Sequence, residues 1–262
     1  MRDIKVIVAT HKKYNMPKDK MYLPIQVGAE GKESLGYQKD NEKDNISLKN
    51  PYYCELTALY WAWKNINAEY IGISHYRRYF TCNKKIPKTE QEKFKILLNK
   101  KQADEILKEY DIILPKKRKY YIENLYDHYK HTMYIEPLDE VRKILEKSYP
   151  QYLLEFDKLH MRTSAHMFNM FIMKKEILNN YCEWLFNILF ELEKRIDPKK
   201  YDKFHGRYLG RVSELLLDIW INTNKLEYKE IKVIDMQNIN WLKKGTAFLK
   251  AKFLKKKYNA SF

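Results

Sequence analysis

The chain has 262 residues, of which 45% are hydrophobic, so it can bury the core of one α/β domain with additions. Lysine and arginine total 50 against 34 acidic residues, and the net charge of +16 favours nucleic acid, anionic membranes or phosphorylated substrates as partners. We find neither a run of about 18 apolar residues nor a signal-peptide pattern, so we expect a cytoplasmic protein that does not span the membrane. The three cysteines, Cys54, Cys82 and Cys182, are widely spaced, as is typical of reduced thiols rather than of a zinc site or disulfides.

The first predicted strand, from Ile4 to Ala9, runs into the polar residues Thr10, His11 and Lys12. Nucleotide-binding α/β folds usually hold the base or the ribose at such a strand end. Neither a GxGxxG nor a GxxxxGK[ST] pattern follows, which argues against dinucleotide dehydrogenases and P-loop enzymes.

Residues 14–50 are predicted to be mostly loop, because prolines and glycines are spread through them. Scattered aromatic and apolar residues favour an ordered, functional loop. Asn50 and Pro51 then predict a helix that runs to about Asn65, with Asn50 as its N-cap. Glu55 lies near the start of this helix among apolar residues, which is unusual for a carboxylate.

The central feature of the sequence is a buried strand, Tyr70 to Ser74, that is followed at once by the block His75–Phe80 (His-Tyr-Arg-Arg-Tyr-Phe). Ligands of open α/β sheets bind beyond the carboxyl ends of the strands, so a cationic cluster there is placed to hold an anion such as a diphosphate. Tyrosines between arginines would add flat stacking surfaces. The alternative is a strand end covered by solvated arginines.

The second half of the chain supplies further polar residues in apolar surroundings. A short strand is predicted at Glu109–Pro115, with Asp111 near its start, and a second apolar run, Ala165–Met173, is interrupted by His166 and Asn169. Helices are predicted at about 137–148, 150–159, 177–196 and 213–222. Arg211 and Glu214 precede or begin the last of them, where a buried ion network explains them about as well as catalysis does.

Several blocks of the sequence resemble the signature blocks of a bacterial glycosyltransferase family found in capsular and exopolysaccharide gene clusters and long catalogued as a domain of unknown function. The similarity runs from the first strand to about Trp220, and the His-Tyr-Arg-Arg-Tyr-Phe block is its most specific part. The blocks are Val8–Lys12, Asp44–Ser47, Lys49–Asn50, Tyr53–Ala58, Tyr60–Asn65, Ser74–Phe80 and Asn169–Met173.

The resemblance implies an α/β, GT-A-like (Rossmann-like) fold with a mixed, mainly parallel central sheet flanked by helices and a helical C-terminal part. It also implies transfer of a hexosyl unit from a UDP-sugar, galactopyranosyl or galactofuranosyl, to a lipid-linked (undecaprenyl diphosphate) oligosaccharide in capsular, exopolysaccharide or O-antigen synthesis. The donor-binding residues would be Thr10, His11, Asp44, Asn45, Asn50, Glu55 and Tyr76.

One departure from the broader GT-A pattern concerns the metal. Those enzymes commonly carry an Asp-x-Asp that holds a divalent cation on the diphosphate, whereas His75-Tyr76-Arg77 stands at this place. Fixed cations can also neutralise a diphosphate, so we expect Arg77 and Arg78 to replace the metal. A Mn²⁺ or Mg²⁺ ion held by His75 with Asp44 or Glu55 is the alternative, and the metal site is left open.

An inverting transfer also needs a base that deprotonates the acceptor hydroxyl. The candidates are Glu214, Asp111 and His166, and Glu214 is preferred because it lies late in the domain, where many GT-A-like enzymes place their acidic residue. The residues expected at the acceptor or sugar are His166, Asn169, Asp111 and Arg211.

We divide the chain into a glycosyltransferase domain, 1–225, and a basic, aromatic C-terminal extension, 226–262. Within the extension, residues 241–257 combine large apolar side chains with seven lysines, a pattern that favours attachment to an anionic inner membrane surface. A solvated tail packed loosely on the domain is the alternative.

Two other classes of function remain for this sequence. A non-catalytic protein that binds nucleic acid would account for the charge and the tyrosines but would not need the histidine and arginines at a strand end, so we expect no nucleic acid partner. A structural assembly protein of a polysaccharide complex is the other alternative.

Overall fold

The computed structural model describes residues 1–237 together with Lys252 and Lys257. Ten strands lie in this part of the chain: β1 (Ile4–Thr10), β2 (Tyr22–Gln26), β3 (Gln38–Lys39), β4 (Tyr70–His75), β5 (Arg78–Thr81), β6 (Ile112–Pro115), β7 (Arg118–Lys119), β8 (Ser164–Ala165), β9 (Phe171–Lys174) and β10 (Lys229–Asp235). The α-helices of the same part are α1 (Asn50–Tyr53), α2 (Leu56–Asn65), α3 (Glu90–Lys95), α4 (Lys100–Ile106), α5 (Leu125–Thr132), α6 (Glu136–Ser148), α7 (Leu153–Asp157), α8 (Lys175–Arg195) and α9 (Tyr208–Thr223).

The main sheet contains eight strands in the order β3-β2-β1-β4-β5-β10-β6-β9. Pairing is parallel from β3 through β4 and between β10 and β6, and antiparallel at the other neighbours. Because β9 also pairs with β4, the strands β4, β5, β10, β6 and β9 close into a ring. The predicted mixed α/β fold is confirmed, but the ring is a closed barrel-like arrangement and not an open Rossmann-like sheet.

The ring closes at a glycine. Gly72 lies in the middle of β4 opposite Ile172 of β9. A Cβ atom at position 72 would come within 2.7 Å of the Ile172 side chain and 2.8 Å of the Phe171 carbonyl oxygen. Only glycine therefore allows β9 to approach β4 this closely.

The block after β4 forms a hairpin. His75 pairs with Arg78 across Tyr76 and Arg77, so the chain turns back at once and continues as β5. Tyr79 is buried in β5 and is therefore a core residue rather than an exposed stacking surface. Within the block His75–Phe80, the polar groups of the turn therefore face the sheet edge, whereas Tyr79 and Phe80 are buried.

The segment 14–50 is more regular than predicted, since it contributes β2 and β3 to the sheet. Its organising residue is Asp40, which is fully buried. The Asp40 carboxylate accepts hydrogen bonds from the backbone N–H groups of Gly28 and Ala29 at 2.8 and 3.0 Å. It also accepts from the hydroxyls of Ser47 and Thr57 at 2.5 and 2.6 Å. These four bonds fix the segment on the start of α2.

The helix predicted over residues 50–65 is broken at Cys54, whose φ of 55° is left-handed. The break divides it into α1 and α2, and Glu55 occupies the N-cap position of α2. The Asn50 side chain is not an N-cap: it donates to the Cys54 carbonyl at 2.7 Å and to the Thr57 hydroxyl at 3.2 Å. Tertiary contacts thus override the helical pattern here.

The chain folds as two compact units. Unit 1 comprises 1–116, 168–184 and 226–237, and the described residues of unit 2 are 117–167, 185–225, Lys252 and Lys257. The proposed extension from residue 226 begins inside unit 1, because β10 is a strand of the main sheet. The membrane-binding segment predicted at 241–257 lies outside the described residues except for Lys252 and Lys257. Among the helices described, none is long and apolar enough to cross a membrane.

Candidate active site

The ends of β1 and β4 meet at one edge of the main sheet. Ala9 of β1 pairs with His75 of β4, and the N–H of Tyr76 donates to the Ala9 carbonyl at 3.2 Å. His11 is exposed and meets the Tyr76 ring edge-on, with centroids 5.4 Å apart. The structure therefore brings together the two polar segments that the sequence predicts at the donor, although Thr10 is buried and donates its hydroxyl to the Lys12 carbonyl at 2.6 Å.

Tyr76 is the centre of a cluster of rings and cations. Its own ring is buried. The Lys12 ammonium lies 5.4 Å from the ring centroid and the Arg77 guanidinium also lies 5.4 Å from it. The Tyr14 and His75 rings contact it at centroid distances of 5.1 and 4.5 Å. The tyrosine thus orients positive groups at the sheet edge by cation–π contacts instead of by ion pairs.

The two arginines of the turn differ in their partners. Arg78 lies 3.3 Å from Asp235 of β10 and stacks on the Phe168 ring at 4.3 Å. Arg77 has a buried Nε without a hydrogen-bond partner in the described part of the chain. A buried guanidinium nitrogen that lacks a protein acceptor is suited to an anionic ligand.

A strained turn lies beside the arginines. Phe168 and Asn169 have φ values of 79° and 51°, which is costly for a phenylalanine. Phe171 pairs with Ile73, so the antiparallel register brings Asn169 level with the His75 turn. The Asn169 amide donates to Glu55 Oε1 at 2.8 Å. Strain at this turn therefore positions one carboxylate, Glu55, at the cationic edge of unit 1.

Two other predicted donor ligands lie along α2 instead. Asp44 accepts from the Tyr60 hydroxyl at 3.2 Å, and its carbonyl accepts from Asn65 at the end of α2. Asn45 binds its own loop through the Ser47 N–H. In the described residues, no group of three or more His, Cys, Asp and Glu side chains could hold a metal ion.

Asp111 lies at the other end of β4 from His75. It immediately precedes β6 and accepts from the hydroxyl of Tyr70, the first residue of β4, at 3.1 Å. The length of β4 therefore separates Asp111 from His75, and the predicted role of Asp111 at the acceptor stays a prediction.

In unit 2, His166 is fully buried and so is Asp218 of α9. The Asp218 carboxylate accepts from the His166 backbone N–H at 3.1 Å and also bonds the His166 Nδ1. This pair satisfies a polar group inside the core, which favours a structural role for His166. Its predicted role at the acceptor stays a prediction.

Glu214 and Arg211 lie on α9 of unit 2, one turn apart. The Arg211 guanidinium stacks on the Phe204 ring at 3.8 Å. Burial raises the pKa of Tyr129, and Arg211 and Glu214 act on that pKa in opposite directions, so both charges are close to its hydroxyl. The role of Glu214 as base stays a prediction.

Sequence reasoning missed several residues of this arrangement. Lys12 follows His11 directly and could have been included from the strand-end pattern. Phe168 and Asp235 could not, because the first depends on a left-handed backbone and the second on β10, a strand from the far end of the described chain.

The chain is similar to known proteins in sequence and in structure. A family model described as a domain of unknown function (DUF4422) matches residues 5–225. The apo structure of the WbbM bifunctional glycosyltransferase is similar to the chain, with a TM-score of 0.82 and 33% sequence identity over 90% of this chain. The match covers 46% of WbbM, so the chain spans about half the length of that protein. The search of curated proteins gave no match.

The family match covers most of the chain, and its bounds include both the His75–Arg78 turn and the α9 residues of unit 2. The structural similarity to WbbM indicates that the family is glycosyltransferase-like. The chain therefore belongs to the DUF4422 family.

Proposed function

We propose that the chain is a nucleotide-sugar-dependent glycosyltransferase with a GT-A-like arrangement of its first strands. The observation that carries this proposal is the cluster of Lys12, Arg77 and His11 around Tyr76 at the joined ends of β1 and β4. Its likeness to part of a bifunctional glycosyltransferase supports the same conclusion. We propose a UDP-hexose as donor, in particular UDP-galactose in pyranose or furanose form, and a lipid-linked oligosaccharide of a capsular, exopolysaccharide or O-antigen pathway as acceptor.

The reaction would break the bond between the anomeric carbon and the diphosphate and form a bond from that carbon to an acceptor hydroxyl oxygen. The electron pair leaves with UDP, so negative charge grows on the diphosphate in the transition state. Arg77 is proposed to neutralise that charge, because its Nε is buried without a partner among the described residues. The proton of the acceptor hydroxyl goes to a carboxylate base, for which Glu214 stays the proposal.

Glu55 has a different place in this proposal. One of its oxygens is held by Asn169, next to the stack of Arg78 on Phe168. A carboxylate beside the diphosphate would repel it, so we propose that Glu55 accepts hydrogen bonds from hydroxyls of the donor ribose or sugar. The alternative is that Glu55 and His75 bind the same divalent cation.

The test is a thermal-shift experiment with UDP, with and without Mn²⁺. A ligand that binds only the native state raises the melting temperature. We expect saturating UDP to raise Tm without added metal, and UDP-galactose to release UDP on incubation. An unchanged Tm together with salt-sensitive binding to plain RNA would favour the nucleic-acid alternative instead.

A further inference from the structure

A short turn of unit 2 exposes two large side chains, Tyr121 and Ile122. Tyr121 is 89% exposed and its neighbour Ile122 is 60% exposed. Single exposed apolar residues are ordinary, but an adjacent pair at the tip of one turn is a local apolar surface.

The turn is held at both ends. The N–H of Tyr120 donates to the Thr163 carbonyl at 2.7 Å, and the N–H of Leu125 donates to the adjacent Arg162 carbonyl at 2.8 Å. These bonds bring the ends of the turn to successive residues of one strand-like segment. Residues 121–124 therefore form a short loop between the two anchors.

The residue after the apolar pair points inward. Glu123 is buried, and its carboxylate meets His131 Nδ1 at 2.8 Å and the Lys252 ammonium at 3.2 Å. Asn124 then caps α5 by accepting from the Asp127 N–H at 2.8 Å. Because Glu123 is buried and paired with the Lys252 ammonium, the tip presents Tyr121 and Ile122.

Cations immediately precede the tip. Lys117, Arg118 and Lys119 follow one another, and β7 holds the last two against Ser164 and Ala165 of β8. Lys119 is exposed. An amphipathic tyrosine and an isoleucine beside three cations match the two attractions of an anionic bilayer, apolar insertion at the headgroup level and charge attraction.

We propose that the turn Lys117–Ile122 is a contact site for an anionic lipid surface. Charge complementarity and the small apolar area support this partner: a stable protein interface needs about 800 Å² on each side, far more than two side chains offer. The turn adjoins the tail segment 241–257 at Lys252, which pairs with Glu123. The turn would be a second membrane contact of the chain, besides the predicted tail. This inference rests on the proposed function only in its assumption that the acceptor is lipid-linked.

The test is flotation of the full chain with vesicles of phosphatidylglycerol and phosphatidylcholine. Tyr121→Ser with Ile122→Ser should lower vesicle binding about ten-fold or more, because it removes the inserted apolar surface. Lys119→Gln should weaken binding more at low salt than at high salt. The matched control is Leu154→Ser, which removes a side chain that is 69% exposed in the same unit but is followed by Glu155.

The proposal is overturned if the full chain does not bind these vesicles, if the double substitution leaves binding unchanged, or if Leu154→Ser weakens binding equally. Equal binding to pure phosphatidylcholine vesicles would also overturn it. The Tm shift with UDP is measured on the same variants and should persist. Loss of vesicle binding with an intact UDP shift supports the proposal, whereas a missing UDP shift in the unsubstituted chain counts against the proposed function alone.

Discussion

Two regions of the molecule treat their charged side chains differently. At the joined ends of β1 and β4 in unit 1, Lys12 and Arg77 lie against the Tyr76 ring. In unit 2, by contrast, histidines are paired with carboxylates: His166 with Asp218, and His205 with Asp202 at 2.6 Å.

The difference separates groups with a structural partner from groups that a ligand can engage. A histidine whose Nδ1 is bonded to a carboxylate already has a structural partner for that nitrogen in the folded protein. A cation on an aromatic face keeps its N–H groups directed elsewhere, and it can still donate to phosphate oxygens. The comparison thus supports the proposal that the His75–Arg78 turn binds an anion, and it favours a structural role for the paired histidines.

The largest effect is expected for Arg77. Removing a preorganised donor to developing charge lowers turnover by about 10²- to 10³-fold, so Arg77→Ala should reduce UDP release from UDP-galactose by that factor. Arg77→Lys keeps the charge but loses the forked donors, so its activity should lie between that of the unsubstituted protein and that of Arg77→Ala. Steady-state kinetics with and without EDTA measures both variants, and chelation should leave most activity in place.

The matched control for Arg77 is Arg142→Ala in unit 2, where the guanidinium pairs with Asp157 at 2.8 Å. Its turnover should equal that of the unsubstituted protein. The contrary outcome is that both Arg77 variants keep full activity, that EDTA abolishes it and that Mn²⁺ restores it. In that case a metal at His75, and not Arg77, neutralises the diphosphate.

The next largest effect is expected on stability, at the pair of His166 and Asp218 in unit 2. Asp218→Ala leaves the buried His166 ring and backbone N–H without their acceptor, which should lower the free energy of unfolding by about 1–3 kcal/mol. UDP should still raise the Tm of the variant. Denaturant unfolding measures the loss, and an unchanged stability with lost transfer would show that His166 acts in catalysis and break the comparison.

The sequence predicts those features of the two regions that depend on short stretches of the chain. The strand β1 and the strand β4 are apolar runs that end in polar residues, and parallel pairing places such ends together. His11 beside His75–Arg78 could therefore be predicted without any long-range information. The same sequence pattern, an apolar run that ends in polar residues, applies to any pair of adjacent parallel strands.

The parts that could not be predicted depend on distant segments. Asp235, the partner of Arg78, lies on β10, within the segment from residue 226 that the sequence assigns to a C-terminal extension. The left-handed backbone of Cys54 has no signal in a helical pattern of apolar residues. The pairing of His166 with Asp218 joins residues 52 positions apart, so no local pattern predicts it.

A smaller effect should come from the strained turn. At position 169, with φ 51°, alanine is costlier than asparagine or glycine by about 1 kcal/mol. Both Asn169→Ala and Asn169→Gly lose the bond to Glu55, so the difference between their unfolding free energies isolates the backbone term. We expect the glycine variant to be the more stable by that amount, although both lose activity because Glu55 is released. Equal stabilities would show that the turn relaxes without cost.

The smallest effect is expected at the Asp202–His205 pair. Hydrogen bonding to His205 lowers the pKa of Asp202 from 3.8 to about 2. Because the folded state favours the carboxylate, the pair stabilises the fold above pH 3.8, and this contribution is lost as the pH falls through about 2. Asp202→Asn should therefore lower Tm slightly at about pH 5 and not at about pH 2. Since the Asp202 side chain is 58% exposed, solvent screens the pair and the shift should be small. Scanning calorimetry of both proteins across this range measures the difference. A difference that is the same at both pH values would mean that the carboxylate does not stabilise unit 2 through His205.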